Sequence, residues 1–252
     1  MNPVTAVAIA AGGYLIGSMS SARIFTALFS PGRRVPDETA LGIEGSDKKL
    51  IFTSISATSV SADVGAKGGF LTFVLDVLKV FFPVMLLKHY FPGQKYFLIA
   101  ATAGVVGHIW PIYHHFKGGR GISSIYGSIF AIDWLGVPVA SLGGLFLGLV
   151  VLRDLYFTYM AGLWLLIPWL WLRTHDLFVI LYMIVVNILF TISALPETRQ
   201  WFRLKQDKHW GDPMQAWQAS AMGRGIIQMA KKLGWIRKKE EGNRTGGREC
   251  HR

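Results

Sequence analysis

The sequence is poor in cysteine and in charge, and each shortage excludes a class of protein. The only cysteine of the 252 residues is Cys250, so the chain can form neither an intramolecular disulfide nor a cysteine cluster for a metal. Charged residues make up 16% of the chain against 52% hydrophobic residues, which excludes an ordinary soluble domain. No local Ser/His/Asp signature of a hydrolase triad is found. We therefore expect a membrane protein that uses no metal and no other cofactor.

Long apolar runs dominate what is present. Taking runs of about 20 residues as membrane segments, the sequence predicts spans at roughly 4–29, 68–90, 96–116, 121–133, 134–152, 155–172 and 177–195. The first run lacks the basic start of a signal peptide and is too long for its apolar core, so we expect a retained helix. Segment 121–133 is too short to cross ~30 Å of hydrocarbon, which predicts a half-span that faces a cavity. The predicted fold is an all-α integral membrane protein with about seven transmembrane segments, in a membrane domain over residues 1–196.

The distribution of basic residues predicts the orientation of these segments. With an outside N-terminus, the inside loops contain Arg33, Arg34, Lys48, Lys49, Lys67, Lys117, Arg120 and Arg153. The outside loops then contain only Lys88, Lys95 and Arg173. This asymmetry follows the positive-inside rule. The sequence therefore predicts an N-terminus outside the membrane and a C-terminus in the cytoplasm.

Residues 197–252 are predicted to form a basic cytoplasmic tail. From Arg199 onward the tail has 13 Lys and Arg against 5 Asp and Glu, a composition that favours anionic lipid over nucleic acid as partner. Within the tail, apolar side chains recur at helical spacing, at Met214, Trp217, Met222, Ile226, Met229 and Leu233. This spacing predicts an amphipathic helix at the membrane surface, and a disordered end is predicted from about Lys238. A protein partner that docks on the tail is a further possibility.

The stretch Lys117-Gly118-Gly119-Arg120-Gly121, here called the glycine loop, separates two apolar runs. Its glycines expose backbone N–H groups at the start of a new helix, where the helix dipole is positive, and two cations flank them. This is the chemistry of a phosphate cradle. A tight, positively charged loop between two membrane spans fits the same residues.

Two other groups of polar residues are candidate site residues. Asp76 and Lys79 lie three positions apart in an apolar span, so they can pair, and both should face the bundle or a wet cavity. A purely structural ion pair is the alternative. The segment Thr53–Val60 is dense in hydroxyls, which suit a phosphate or a polyol, although a solvated loop has the same composition.

Together these residues resemble the bacterial acyl-phosphate glycerol-3-phosphate acyltransferases, the PlsY-type membrane enzymes. The match covers roughly residues 10 to 195. Gly17-Ser18 is similar to the family's early G-S pair, and residues 75–79 (LDVLK) resemble its L-D-x-x-K segment. Residues 107–111 (GHIWP) and 116–121 (FKGGRG) resemble its G-H-x-F-P and F-K-G-G-K-G signature.

The resemblance implies an enzyme that transfers an acyl group from acyl-phosphate to glycerol 3-phosphate and so makes lysophosphatidic acid for phospholipid synthesis. It implies a bacterial inner membrane location and contact with membrane lipid. It assigns phosphate binding to the glycine loop, which is Lys117, Gly118, Gly119, Arg120 and Gly121. It assigns catalysis to Thr58, Lys79 and His108, where His108 is either a proton carrier or a helix–helix hydrogen-bond donor. Substrate binding falls to Ser46, Ser54 and Ser59.

The chain departs from this family in two motifs. Ser54 and Ser59 replace two asparagines of the first cytoplasmic motif, and Ala62 replaces its arginine. A counterpart of the family's third motif, an H-R-x-N-like segment, is not found near the C-terminus. A second hypothesis therefore stands beside the enzyme: a catalytically degenerate membrane subunit that binds lipid or an anion and keeps the acyltransferase fold.

Overall fold

The computed structural model of the protein describes residues 1–206 except 31, 33–34, 36–37, 44–45 and 153, together with 225, 227–229, 232 and 234. Helices form most of this part of the chain. In order they are α1 (Pro3–Ser18), α2 (Ser21–Phe29), α3 (Ala57–Asp63), α4 (Ala66–Tyr90), α5 (Tyr96–Ile109), α6 (Ile122–Ile132), α7 (Gly136–Pro138), α8 (Gly144–Phe146), α9 (Thr158–Thr174) and α10 (Leu177–Lys205). Strands β1 (Thr39–Ile43) and β2 (Ser46–Phe52) form an antiparallel hairpin between α2 and α3.

Four helical stretches are long and apolar enough to cross a membrane, namely Pro3–Phe29, Ala66–Tyr90, Tyr96–His114 and Leu177–Lys205. Large apolar side chains stay exposed along them, among them Val4, Phe82 and Phe178. Helix α6 has only 11 residues and is therefore about 16 Å long, which agrees with the predicted short segment. Lipid tails can cover such an apolar helix surface. A helix also suits lipid because its backbone groups form hydrogen bonds within the helix.

The first predicted span is not one helix. Helix α1 ends at Ser18, and α2 begins at Ser21 with Ser20 as its N-cap, whose hydroxyl accepts from the Arg23 amide at 3.4 Å. Met19, between them, has an extended backbone. Serine is favoured at the N-cap because its hydroxyl oxygen accepts a hydrogen bond from a first-turn amide that has no acceptor within the helix. The break could not be predicted from hydropathy, because the few serines hardly lower the mean hydropathy of this apolar run.

The second half of the membrane domain is less regular than predicted. Between α6 and α9, the α-helical turns of α7 and α8 alternate with wider π-turns at Val139–Gly143 and Leu147–Val151. Gly144 and Gly162 let this segment and α9 approach backbone to backbone.

Helix α10 extends ten residues beyond its predicted end, so the predicted domain boundary at 196/197 lies inside a helix. Its last turns are held by Asp154, which is buried and accepts from Trp201 Nε1 at 3.0 Å and from Lys205 Nζ at 3.1 Å. The predicted amphipathic tail helix and the end beyond Lys238 lie largely or entirely outside the described residues. The division into a membrane domain and a tail domain stays a prediction.

The hairpin was not predicted from the sequence. The sequence predicts no strand between α2 and α3, but residues 39–43 pair with residues 46–52. Two contacts attach this region to the rest of the protein: the Ile51 amide donates to Gln200 Oε1 of α10 at 3.2 Å, and the Ile55 amide donates to the Gly118 carbonyl at 3.0 Å. The hairpin therefore lies at the same end of the bundle as the glycine loop.

Glycines allow α1 and α5 to pack in backbone contact. A Cβ atom added to Gly17 would overlap the Gly104 carbonyl, and one added to Gly107 would overlap the Tyr14 carbonyl. Small residues at such crossings let helices associate closely in membranes, where van der Waals packing drives association. This contact fixes where the end of α1 lies relative to His108 on α5.

We expect Gly107→Ala to separate α1 from α5 and to destabilise the protein by about 1–3 kcal/mol, the usual cost of overpacking. Gly12→Ala is the matched control on α1, because a Cβ there meets no atom within 4 Å. Thermal unfolding of both variants in the same detergent measures the difference. Equal midpoints for the two variants would show that the close approach contributes nothing to stability.

Candidate functional site

A small pocket with about 220 Å³ of empty volume lies where the break between α1 and α2 meets α4, α5 and the glycine loop. Its wall consists of residues 17–22 around the break, Ile55, Asp76, Lys79, His108, Pro111, Gly118 and Gly119. Three of these are ionisable, and all three are buried or nearly so. The pocket brings together four segments that lie apart in the sequence, namely residues 17–22, Ile55, residues 76–79 and residues 108–119.

Among the residues that the structure describes, Lys79 is the only cation in the pocket wall, and three acceptors surround it. Its Nζ lies 2.7 Å from Asp76 Oδ1, 2.8 Å from the Met19 carbonyl oxygen and 3.0 Å from His108 Nδ1. The Lys79 side chain is 10% exposed and that of Asp76 is 3% exposed. The Asp76 carboxylate offsets part of the desolvation cost of burying this ammonium, and removal of either partner would leave an uncompensated buried charge. The pairing predicted for Asp76 and Lys79 is present, and Lys79 also reaches the glycine loop's pocket.

Two glycines of the loop pack directly on His108. The Gly119 amide donates to the His108 carbonyl at 3.1 Å. A Cβ on Gly119 would overlap the imidazole Nε2, and a Cβ on Gly118 would overlap the His108 carbonyl. Gly119 is buried and its amide is already bonded, so a larger residue at this position would disturb the packing of the loop. These glycines bring the loop against the imidazole.

The other predicted phosphate ligands lie outside the pocket wall. The Lys117 side chain is exposed. Arg120 Nε lies 3.6 Å from Glu197 Oε1 of α10, and Glu197 is buried. Gly121 has a left-handed backbone, with φ of 94°, and caps the start of α6. Lys117 and Arg120, to which the resemblance assigns phosphate binding, thus do not join Lys79 in the pocket wall, because Arg120 faces α10 and Lys117 faces outward.

The hydroxyl candidates are likewise placed around the pocket and not in its wall. Thr58 is exposed on α3. Ser59 is buried, and its hydroxyl donates to the Ser54 carbonyl at 2.8 Å, so these two serines shape the turn that leads into α3. Ser46 is the first residue of β2, where it pairs with Ile43. Ser54, Thr58 and Ser59 do not line the pocket.

The structure supplies pocket residues that the sequence interpretation missed. Met19 contributes a carbonyl oxygen to Lys79, and Ser18, Ser20 and Ser21 line the wall. The available signal was the cluster Ser18-Met19-Ser20-Ser21 inside an apolar run, which is a pattern of helix capping. Among the described residues, no group of three or more His, Cys, Asp and Glu has the placement of a metal site.

Comparison with known proteins places this chain in a family. A family model described as glycerol-3-phosphate acyltransferase matches residues 45–202. Proteins named glycerol-3-phosphate acyltransferase from Janthinobacterium sp. (strain Marseille) and Proteus mirabilis (strain HI4320) are 32% identical over 136 residues and 36% identical over 121 residues. These alignments cover 52% and 48% of this chain. They span only 61% and 50% of the two relatives' lengths.

Two solved structures have the same fold. One is the glycerol 3-phosphate form of PlsY (YgiH), described as an integral membrane glycerol 3-phosphate acyltransferase, with a TM-score of 0.66, 22% identity, and coverage of 79% of this chain and 92% of that one. The lysophosphatidic acid form of PlsY gives a TM-score of 0.65 at 22% identity, covering 84% and 98%. The prediction of an α-helical, multi-pass integral membrane protein is thereby confirmed, as is the resemblance noted in the sequence.

Proposed function

Since this chain belongs to the glycerol-3-phosphate acyltransferase family, we propose that it transfers an acyl group from an acyl-phosphate to a hydroxyl of glycerol 3-phosphate. The products are lysophosphatidic acid and phosphate. The observation that carries this proposal is the convergence of Lys79, His108 and the glycine loop on one pocket. Each of these residues lies within the part of the chain that the family model matches.

The pocket has the electrostatics that such a reaction needs. A hydroxyl attacks the acyl carbon, a new ester bond forms, and the bond from the acyl carbon to the phosphate oxygen breaks. Negative charge accumulates on the phosphate that leaves, and a cation already in place stabilises it without reorganisation. Lys79 is the proposed cation, because Asp76 and the Met19 carbonyl hold its ammonium in one position.

The remaining candidate residues have proposed roles around this centre. Lys117 and Arg120, at opposite ends of the Gly118-Gly119 pair, would attract phosphates to the pocket over several ångströms. Gly121 would present the first amides of α6 to an anion. Ser20 and Ser21, which line the wall, replace Ser54, Ser59 and Thr58 as the nearest hydroxyl partners for a polyol.

The proposed reaction requires no dedicated general base from the protein. An acyl-phosphate is already activated, and its own phosphate accepts the proton of the attacking hydroxyl as it leaves. What the protein must provide is position, since the hydroxyl has to lie at about 3 Å from the acyl carbon. The altered first motif is therefore compatible with catalysis.

A direct assay tests the proposal. Purified protein in detergent is incubated with an acyl-phosphate and labelled glycerol 3-phosphate, and the lipid extract is analysed for labelled lysophosphatidic acid. Acyl coenzyme A in place of the acyl-phosphate is the control for donor class. A folded protein that binds glycerol 3-phosphate but yields no labelled lipid would favour the degenerate subunit instead.

The contacts at the two ends of the bundle support the proposed orientation. At one end, the Asn2 amide donates to the Tyr96 hydroxyl at 2.7 Å, and Lys95 pairs with Asp176. The pocket, the hairpin and the Asp154–Lys205 pair lie at the other end. The chain thus begins at the end opposite the pocket, and α10 finishes at the pocket's end. With the basic loops inside, the pocket faces the cytoplasm, and a bacterial inner membrane is the proposed location.

The single cysteine provides a direct test of topology. We expect a membrane-impermeant maleimide to label Cys250 only after the membrane is broken, because the tail is inside. Gln94 is exposed in the loop between α4 and α5, so Gln94→Cys in a Cys250→Ser background should be labelled in intact cells. The reverse pattern would invert the proposed orientation and move the pocket outside.

A further inference from the structure

The hydrogen bonds around His108 determine where its ring carries a proton. An ammonium group has three N–H donors and no acceptor. Three oxygen or nitrogen atoms lie within 3.0 Å of Lys79 Nζ, and one of them is His108 Nδ1. Nδ1 must therefore accept a hydrogen bond, so it carries no proton. The single proton of the neutral ring is then on Nε2.

Protonation of both ring nitrogens is opposed by the same contacts. It would place a second cation 3.0 Å from the Lys79 ammonium, and Asp76 is the only carboxylate that the described residues contribute to the pocket wall. Asp76 Oδ1 lies 3.5 Å from His108 Nδ1 but 2.7 Å from Lys79 Nζ. The carboxylate is thus closer to the lysine, and the ring stays neutral.

The Nε2 side of the ring faces the glycine loop. A side chain at Gly119 would overlap Nε2, and both residues line the pocket. Within the part of the chain that the structure describes, Nε2 has no hydrogen-bond partner. A ring N–H in the wall of a pocket that has no protein acceptor is open to a ligand or to water. The pocket therefore contains a donor that faces the place where an anion would bind.

We propose that His108 is a neutral hydrogen-bond donor whose Nε2–H binds a phosphoryl oxygen of the substrate, and that it is not the base that removes the hydroxyl proton. The lone pair that a base needs is occupied by Lys79. The identity of the ligand rests on the proposed acyl transfer, whereas the tautomer does not. This assignment separates the two roles that the sequence left open for His108.

The tautomer is tested in the wild-type protein by NMR. Histidine labelled with ¹⁵N in the imidazole ring gives different shifts for protonated and unprotonated nitrogens, and the signal missing from His108→Gln assigns the residue. We expect Nε2–H and a bare Nδ1 from pH 6 to 8. Glycerol 3-phosphate and a non-hydrolysable acyl-phosphonate, added separately, should show which phosphoryl group shifts the Nε2–H signal. A proton on Nδ1, or no shift with either ligand, would overturn the proposal.

Matched substitutions separate donor from base. Glutamine can keep an amide N–H toward the pocket and an oxygen toward Lys79, whereas leucine offers neither. Loss of one such donor typically costs about 10²–10³-fold in rate, so we expect that loss for His108→Leu and less than about tenfold for His108→Gln. The wild type and His108→Gln should have the same pH–rate profile. If the wild-type rate falls at acidic pH with the titration of a histidine, and this fall is absent in His108→Gln, His108 would be identified as the base. If His108→Leu fails to fold, the NMR result decides alone.

Discussion

Lys79→Met is expected to lower the rate of acyl transfer by about 10²–10³-fold, the usual effect of removing one preorganised electrostatic group. The physical reason is that Lys79 is the one cation that the described part of the chain brings to the pocket wall, where Asp76, His108 and the Met19 carbonyl hold it. Methionine has a similar length but no charge. The measurement is the rate of labelled lysophosphatidic acid formation at saturating substrates, together with KM for each substrate.

Stability must be separated from catalysis in this experiment, because Lys79→Met leaves the Asp76 carboxylate buried without its cation. Breaking a buried pair in this way costs about 3–5 kcal/mol. The double variant Asp76→Asn/Lys79→Met should recover most of that stability and none of the activity. Lys88→Met is the matched control on the same helix, since Lys88 Nζ donates to the Ala131 and Ile132 carbonyls at the opposite end of the bundle. Full activity of the double variant would remove Lys79 from the mechanism.

Gly119→Ala is expected to lower acyl transfer by at least about 10²-fold, because a displacement near 1 Å in an active site has effects of that size. The added methyl group would overlap the His108 imidazole and push its Nε2 away from the pocket. The same overlap should destabilise the protein by about 1–3 kcal/mol. Activity and thermal unfolding in detergent measure the two effects on the same preparation.

The neighbouring glycine provides the control for this mechanism. At Gly118 the obstacle is backbone, the His108 carbonyl, whereas at Gly119 it is the His108 side chain. Truncation by His108→Ala should therefore relieve the destabilisation caused by Gly119→Ala but not that caused by Gly118→Ala. Double-mutant cycles of unfolding free energy detect this difference. Additive effects in both cycles would contradict the proposed contact.

The helices could be predicted because lipid imposes a length and a composition on each span. The break at Met19 and the wide turns in residues 136–151 could not, since both leave the hydropathy of the run almost unchanged. The hairpin was missed for a different reason. Its strands carry neither a long alternating pattern nor a two-residue Asn-Gly or Asp-Gly turn, so propensity alone did not separate them from loop.

The contacts of the site could be predicted between residues of one helix, but not between residues that the fold brings together from different helices. Asp76 and Lys79 share a helix face, so their pairing follows from spacing alone. The contact of Lys79 with His108 crosses from α4 to α5, and no spacing rule gives it. The resemblance assigned phosphate binding to both Lys117 and Arg120, but in the structure the Glu197 carboxylate lies beside Arg120. A cation's partner depends on which elements pack around it.

The interruption between α1 and α2 changes the hydrogen-bond partner of the Met19 carbonyl oxygen. In an unbroken helix, the Arg23 amide would bond to the Met19 carbonyl four residues earlier. Here the Ser20 hydroxyl takes that amide, and the carbonyl is left for the Lys79 ammonium. A carbonyl oxygen can accept two hydrogen bonds, so it is the extended backbone at Met19, and not a lack of lone pairs, that separates this oxygen from the Arg23 amide and leaves it to the Lys79 ammonium. Ser20→Ala, which alters no charge, would remove the cap that favours this break, and we expect it to loosen the position of the lysine.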